Sequence, residues 1–271
     1  MRVVRGKIIG WQPIMYLVAA AVLSGCGLTI QQKVALDQFA TATRDLSVAA
    51  QAELQKSRHD VVEMNRLRLE LGDPTADLAN LDSLLTLDRT RERLVALQAL
   101  EDYGGLLTKL VGTTSQEALL DAGKTFVGNL RQVKGIQLTD QEAEGIGKAV
   151  AAVGGLYVEH KRASAVRHVV ETAHTPVLAV IDLLKRDFDP ASDFWNAGYR
   201  QTTLDLKGHA VAISASVAEN DLASKQSIQR AKTIAAENMD RFQRVSKEIS
   251  ALSATLAEAQ KNLRLVLNPQ S

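Results

Sequence analysis

Between His209 and Asn268 the chain contains neither glycine nor proline, and its apolar positions recur in alternating steps of three and four. Ile228, Ala231, Ala235, Asn238, Phe242, Val245, Ile249, Leu252, Leu256, Ala259, Leu263 and Val266 follow without a miss. That is a heptad seam on one face of an α-helix, and a seam of this length is stable only when other helices cover it. Asn238 is its polar member, of the kind that fixes register at a cost in stability. The pattern continues upstream through Leu206, Ala210, Ile213 and Val217 after one extra step. It predicts one helix over 209–267, about 85–90 Å long, with a hairpin around 220–224 as the alternative.

A second stretch free of glycine and proline runs over 28–71. Leu36, Phe39, Leu46, Ala50 and Leu54 make one stripe, then Val61, Met64, Leu67 and Leu71 another, with a phase shift near Ser57. A helix over 30–71 is expected, roughly 60 Å long. Gly72 suits a left-handed stop, and Asp73-Pro74 offers a cap and first-turn proline for the next helix. That helix carries Leu78, Leu81, Leu84, Leu87, Leu94 and Leu97 and weakens at Tyr103-Gly104-Gly105. Thr114-Ser-Gln-Glu117 and Thr139-Asp-Gln-Glu142 fit capping boxes, placing helices near 115–133 and 140–174. Pro176 is expected to kink or interrupt the latter, and Asp189-Pro190 to start another helix.

No alternating β-branched run and no repeat of 30–45 residues appears. The expected fold is all-α: an elongated antiparallel helical bundle with long coiled-coil-like helices at both ends of the chain. Composition agrees, with 46% hydrophobic residues to bury and only 5 Pro and 17 Gly among 271 residues. With 32 Lys+Arg against 31 Asp+Glu there is no global field to favour nucleic acid, and no nucleic-acid partner is expected. A single Cys excludes an intrachain disulfide and Cys-based metal clusters.

The start of the chain reads as an address. Arg2, Arg5 and Lys7 precede an apolar run from Ile14 to Leu23, too short for a mature membrane span but suited to a signal peptide. The run ends in Leu23-Ser24-Gly25-Cys26. In this the chain resembles bacterial lipoproteins, whose lipobox has an aliphatic residue, two small ones and the acylated cysteine. The resemblance covers 1–26 only. It implies recognition of Leu23, Ser24 and Gly25 by a signal peptidase, cleavage after Gly25, and acyl chains on Cys26. With Gly27 rather than Asp after the cysteine, it also implies the outer membrane in a cell with two membranes; the protein is expected to face the periplasm, with the cell surface as the alternative. The expected organisation is a cleaved segment 1–25 and a single elongated domain 26–271. Cleavage removes three cations and leaves a mildly acidic protein.

Chemistry is sparse. No phosphate-cradling glycine loop, nucleophile elbow or HExxH motif is present, and Gly145-Ile-Gly147 lacks the strand and third glycine of a dinucleotide fingerprint. No catalytic residue, metal ligand or cofactor is therefore assigned. Glu171 and His174 form one ExxH pair, without the second pair and further carboxylates of a bundle di-iron site; a His near a helix end is the plainer account. His160, Lys161, Arg162, Arg167 and His168 make a basic stretch, either a solvated face or a contact for anionic lipid or polysaccharide.

Segment 145–158, GIGKAVAAVGGLYV, reads as close helix packing or as a membrane-inserting head. Phe188, Phe194, Trp195 and Tyr199 gather at one helix start, closing the bundle end or anchoring a partner through Phe194, Trp195 and Tyr199. The function expected is a non-enzymatic scaffold or binding protein, tethered through Cys26, for an envelope protein or a second copy joined through helices. The alternatives are membrane activity through 145–158, carriage of an apolar ligand, and an enzyme using Glu171 and His174.

Overall fold

The computed structural model describes residues 27–112, 115–153, 159–189, 191, 195–219 and 221–268. Among them the chain is all-α, with α1 (Ile30–Glu70), α2 (Leu87–Gly112), α3 (Gln116–Gln132), α4 (Asp140–Ala152), α5 (Glu159–Phe188), α6 (Trp195–Ser214) and α7 (Leu222–Leu267). The signal-segment residues Leu23, Ser24, Gly25 and Cys26 lie outside the described residues, as do Thr114, Pro190, Phe194 and Asn220.

The two long helices are antiparallel. Gln32, near the start of α1, donates to the Val266 carbonyl at the end of α7, while Arg230 near the start of α7 meets Glu63. α2 runs back down α1, with Ser47 opposite Leu97 and the Gly104 backbone against Ala40 and Thr43. α5 and α6 follow one another in the direction of α1: Glu171 meets Arg264 low on α7, Tyr199 meets Asp60, and His209 reaches the Leu71 carbonyl. Helices α2, α3 and α4 thicken the half of the bundle nearer the start of α1. There Phe39, Tyr103 and Phe126 form an aromatic centre, with ring centroids 5.3 and 5.1 Å apart.

Several expectations are corrected. The helix over 209–267 is a hairpin: α6 stops at Ser214, and Asp221 caps α7 by accepting from the Ser224 N–H at 3.0 Å. The reason is lack of a partner. His209 already sits level with Leu71, where α1 ends, so a continuing helix would carry its stripe past everything that covers it. Ser214 and Ser216 turn their hydroxyls onto the Val211 and Ile213 carbonyls, competing with further helix.

Asp73-Pro74 starts no helix. Gly72 takes the left-handed stop (φ +75°), but Asp73 turns back to bind Arg68, and the next long helix begins only at Leu87. Leu78, Leu84 and Leu87 are consequently exposed, while Leu85 is buried. α2 does not weaken at Gly104-Gly105; it continues to Gly112, and Gly104 is the point of close contact with α1. The N-cap of α3 is Ser115.

The helix over 140–174 is two helices, α4 and α5, which flank 154–158. Gly154 and Gly155 fall in that interval, and consecutive glycines carry the highest entropic cost in a helix. Pro176 does not end α5, which runs on to Phe188. Ala173, Val177, Val180, Ile181 and Leu184 are all buried on either side of it, and that packing outweighs the lost backbone bond. Asp189 accepts from the Ala191 N–H, and the next helix begins at Trp195 rather than after Pro190.

Candidate functional site

A groove of about 820 Å³ lies between α4 and α5. Small side chains create it. Gly145, Ala149 and Ala152 lie one turn apart on α4 and face Ser164 and Ala165 on α5, so the two helices leave an apolar trough between them. A Cβ on Gly145 would come 3.2 Å from His168 Nε2, so glycine brings the α4 backbone up to the imidazole.

Lys148, His160, Lys161 and His168 rim the trough, together with Glu142 and Glu144. Both carboxylates are committed. Glu142 completes the α4 capping box, accepting from the Thr139 N–H and hydroxyl at 2.8 Å each, and these bonds hold it below the usual carboxylate range. Glu144 pairs with Lys148 at 2.7 Å, and that contact lowers it too. No carboxylate pairs with Lys161 among the described residues. The basic stretch noted in the sequence thus divides: His160, Lys161 and His168 are exposed, while Arg162 is buried and donates to the Val111 carbonyl at 3.1 Å.

In the remainder of segment 145–158 that is described, one face packs inward while Gly147 and Ala151 are exposed. Ile146, Val150 and Val153 are buried, and Val150 lies against Gly123 of α3. Residues 154–158 lie outside the described set.

The expected partner anchors are placed differently. Trp195 and Tyr199 are buried, and Phe188 with them, so these aromatics close the bundle and present no surface; Phe194 lies outside the described residues. The cause is partner geometry: Tyr199 stacks on Phe242 of α7.

Glu171 and His174 do not gather a metal site, and among the described residues no three metal-ligating side chains cluster. Glu171 accepts from Arg264 Nε at 2.9 Å and Nη2 at 2.6 Å, tying α5 to the end of α7, and that bond holds its pKa down. His174 sits mid-helix rather than at a helix end, and burial lowers its pKa.

A buried ionic cluster was not foreseen. Glu53, Ser57 and Asp60 occupy consecutive seam positions of α1 and are all buried. Arg241 of α7 donates to Glu53 and to Asp60, Ser57 donates to Glu53 at 2.7 Å, and Lys56 meets Asp60 at 3.1 Å. The Tyr199 hydroxyl lies 3.2 Å from Asp60 and 3.3 Å from the Asn238 carbonyl. Its single proton goes to the charged acceptor, the stronger of the two. Burial pushes the Glu53 carboxyl up despite Ser57 and Arg241, and it pushes the Tyr199 hydroxyl up as well.

The sequence signal for this cluster was the phase shift near Ser57. The α1 seam has no shift; it runs through polar side chains there, opposite the polar break at Asn238. Compared with models of protein families, with characterised proteins and with solved structures, the chain gives no match.

Proposed function

We propose that this protein is a lipid-anchored helical bundle of the cell envelope, held at the outer membrane and facing the periplasm. It acts as a non-enzymatic scaffold or binding module for another envelope component. The observation that carries this reading is the distance between the lipobox and the fold. Only Gly27 and Leu28 separate Cys26 from Thr29, the N-cap of α1, whose side chain accepts from the Gln32 N–H at 3.2 Å. At up to about 3.5 Å per residue the tether is roughly 10 Å long, so acylation would hold the bundle end-on close to the membrane.

Two further features support it. No described helix is long and apolar enough to cross a membrane, so acyl chains are the attachment the sequence offers. At the far end, Leu204 and Val211 on α6 and Leu222 at the start of α7 are 51%, 52% and 69% exposed. Apolar side chains displayed there suit a protein partner. The membrane-inserting reading of 145–158 is less favoured, because Ile146, Val150 and Val153 are already spent in the core.

Two measurements test the proposal separately. Labelled palmitate is expected to enter the wild-type protein and not Cys26→Ser, and the variant is expected to leave the membrane fraction. A photo-crosslinking residue at Val211 is expected to capture a discrete envelope protein in living cells, while one at exposed Lys109 near the other end does not. Absence of palmitate overturns the anchor. Random or absent crosslinks from Val211 overturn the scaffold.

A further inference from the structure

We propose that the α4–α5 groove binds an anionic phospholipid, with the upper acyl chain on its Gly/Ala floor and the headgroup phosphate on Lys161 between His160 and His168. The inference takes the source of that lipid from the anchored reading above and deepens it. Three observations carry it.

The first is position. Arg162 ties the first turns of α5 to the end of α2, and Glu171 ties the next turns to Arg264 near the end of α7. Val266, two residues on, accepts from Gln32 in the first turn of α1. The groove therefore lies at the end of the bundle where residues 27–29 lead into α1.

The second is charge. Lys148 and Glu144 pair with each other, and Glu142 keeps its charge at the Thr139 cap on the α4 side. On the α5 side the Lys161 ammonium and two imidazoles have no carboxylate partner among the described residues. A diester phosphate supplies the acceptor oxygens they lack.

The third is shape. A trough of about 820 Å³ floored by Gly145, Ala149, Ala152 and Ala165 takes a headgroup and the first part of an acyl chain. Free phosphate would leave that floor wet, and a zwitterionic lipid would bring its own cation to Lys161.

The test uses the full chain in neutral detergent with short-chain phosphatidylglycerol, short-chain phosphatidylcholine and inorganic phosphate as probes. Binding is read by calorimetry and by hydrogen exchange over 141–172. Phosphatidylglycerol is expected to bind saturably and to protect this segment. The double variant Lys161→Glu/His168→Glu, both sites exposed, is expected to keep its thermal midpoint and to lose at least about tenfold in affinity, the worth of one charge-assisted contact. Lys247→Glu, on an exposed face of α7, is expected to bind as wild type.

Equal affinity for phosphatidylcholine, an unaffected double variant, or phosphate binding as tightly as the lipid would each overturn the proposal. Intact mass of the same preparation reads acylation of Cys26 independently. Unacylated protein that selects phosphatidylglycerol refutes the anchor alone, and acylated protein that binds both lipids alike refutes the groove alone.

Discussion

Tyr199 of α6 lies against Phe242 of α7 with ring centroids 4.1 Å apart and planes 18° apart. Its hydroxyl reaches Asp60 of α1, so one residue keys α1, α6 and α7 at a single level. A seam of leucines and alanines alone tolerates a slide of seven residues, because each knob then meets an equivalent hole. A slide here would strand two buried carboxylates.

Replacing Arg241 by Met is expected to destabilise the fold by about 3 kcal/mol, since Glu53 and Asp60 stay buried without their guanidinium. Urea denaturation measures the loss. The triple variant Glu53→Gln/Asp60→Asn/Arg241→Met should recover most of it, because no uncompensated charge remains. A triple variant as unstable as the single one contradicts this account.

Acid should weaken the loop after α1. Burial works to raise the Asp73 carboxyl, but the Thr75 hydroxyl and N–H, and then Arg68, outweigh it and hold the pKa down at about 2 against an ordinary 3.8. A depressed carboxylate contributes stability that is present above its unfolded pKa and is lost as pH falls through the folded one. Between about pH 4 and pH 2 roughly 2 kcal/mol should disappear. Asp73→Asn should flatten that limb in denaturation curves taken across the range. Glu53 has the opposite sign: its raised pKa contributes stability at low pH that fades as pH rises through the raised value.

Two glycines of α6 should respond to alanine in opposite directions. A Cβ on Gly198 would lie 2.9 Å from Leu84 Cβ, so Gly198→Ala should cost about 1–3 kcal/mol through overpacking. Gly208 faces open space in the same helix, and Gly208→Ala should add about 0.5–1 kcal/mol. Thermal midpoints of the two variants, compared with wild type, check both signs.

The face of α7 that is buried can be tested at adjacent residues. Ser253 is fully buried, its hydroxyl bonded back to the Ile249 carbonyl at 2.8 Å, while neighbouring Leu252 is only half-buried. Ser253→Leu should cost about 1–3 kcal/mol. Leu252→Ala should cost less than Leu256→Ala, for which about 2–5 kcal/mol is expected at a buried leucine. Equal losses at 252 and 256 would place the seam where hydrophobicity alone put it.

That rotation shows where reading the sequence stops. Phe242, Ile249, Leu256 and Leu263 were legible as core, and they are buried. Val245, Leu252, Ala259 and Val266 looked like the other half of the seam, yet Ser246, Ser253, Gln260 and Leu267 are the buried neighbours. Hydrophobicity does not reveal a serine chosen because a neighbouring helix comes close. In the same way Trp195 and Tyr199 were legible as a cluster, but not as an interior one. The α4–α5 groove was foreshadowed by small residues and a basic stretch, and its existence depended on which faces met.

The sequence by itself determined the all-α class, the long α1, the Gly72 stop and the Thr139 cap. These follow from local rules, in which period, cap chemistry and the cost of glycine or proline act within a few residues. Only the tertiary structure decided that 209–267 folds back on itself, that Pro176 sits inside a continuous helix, and that Glu53 and Asp60 are core residues. Each of those depends on a partner supplied from more than a hundred residues away or from the neighbouring turn of a packed helix. Burial against that partner outweighs the local preference.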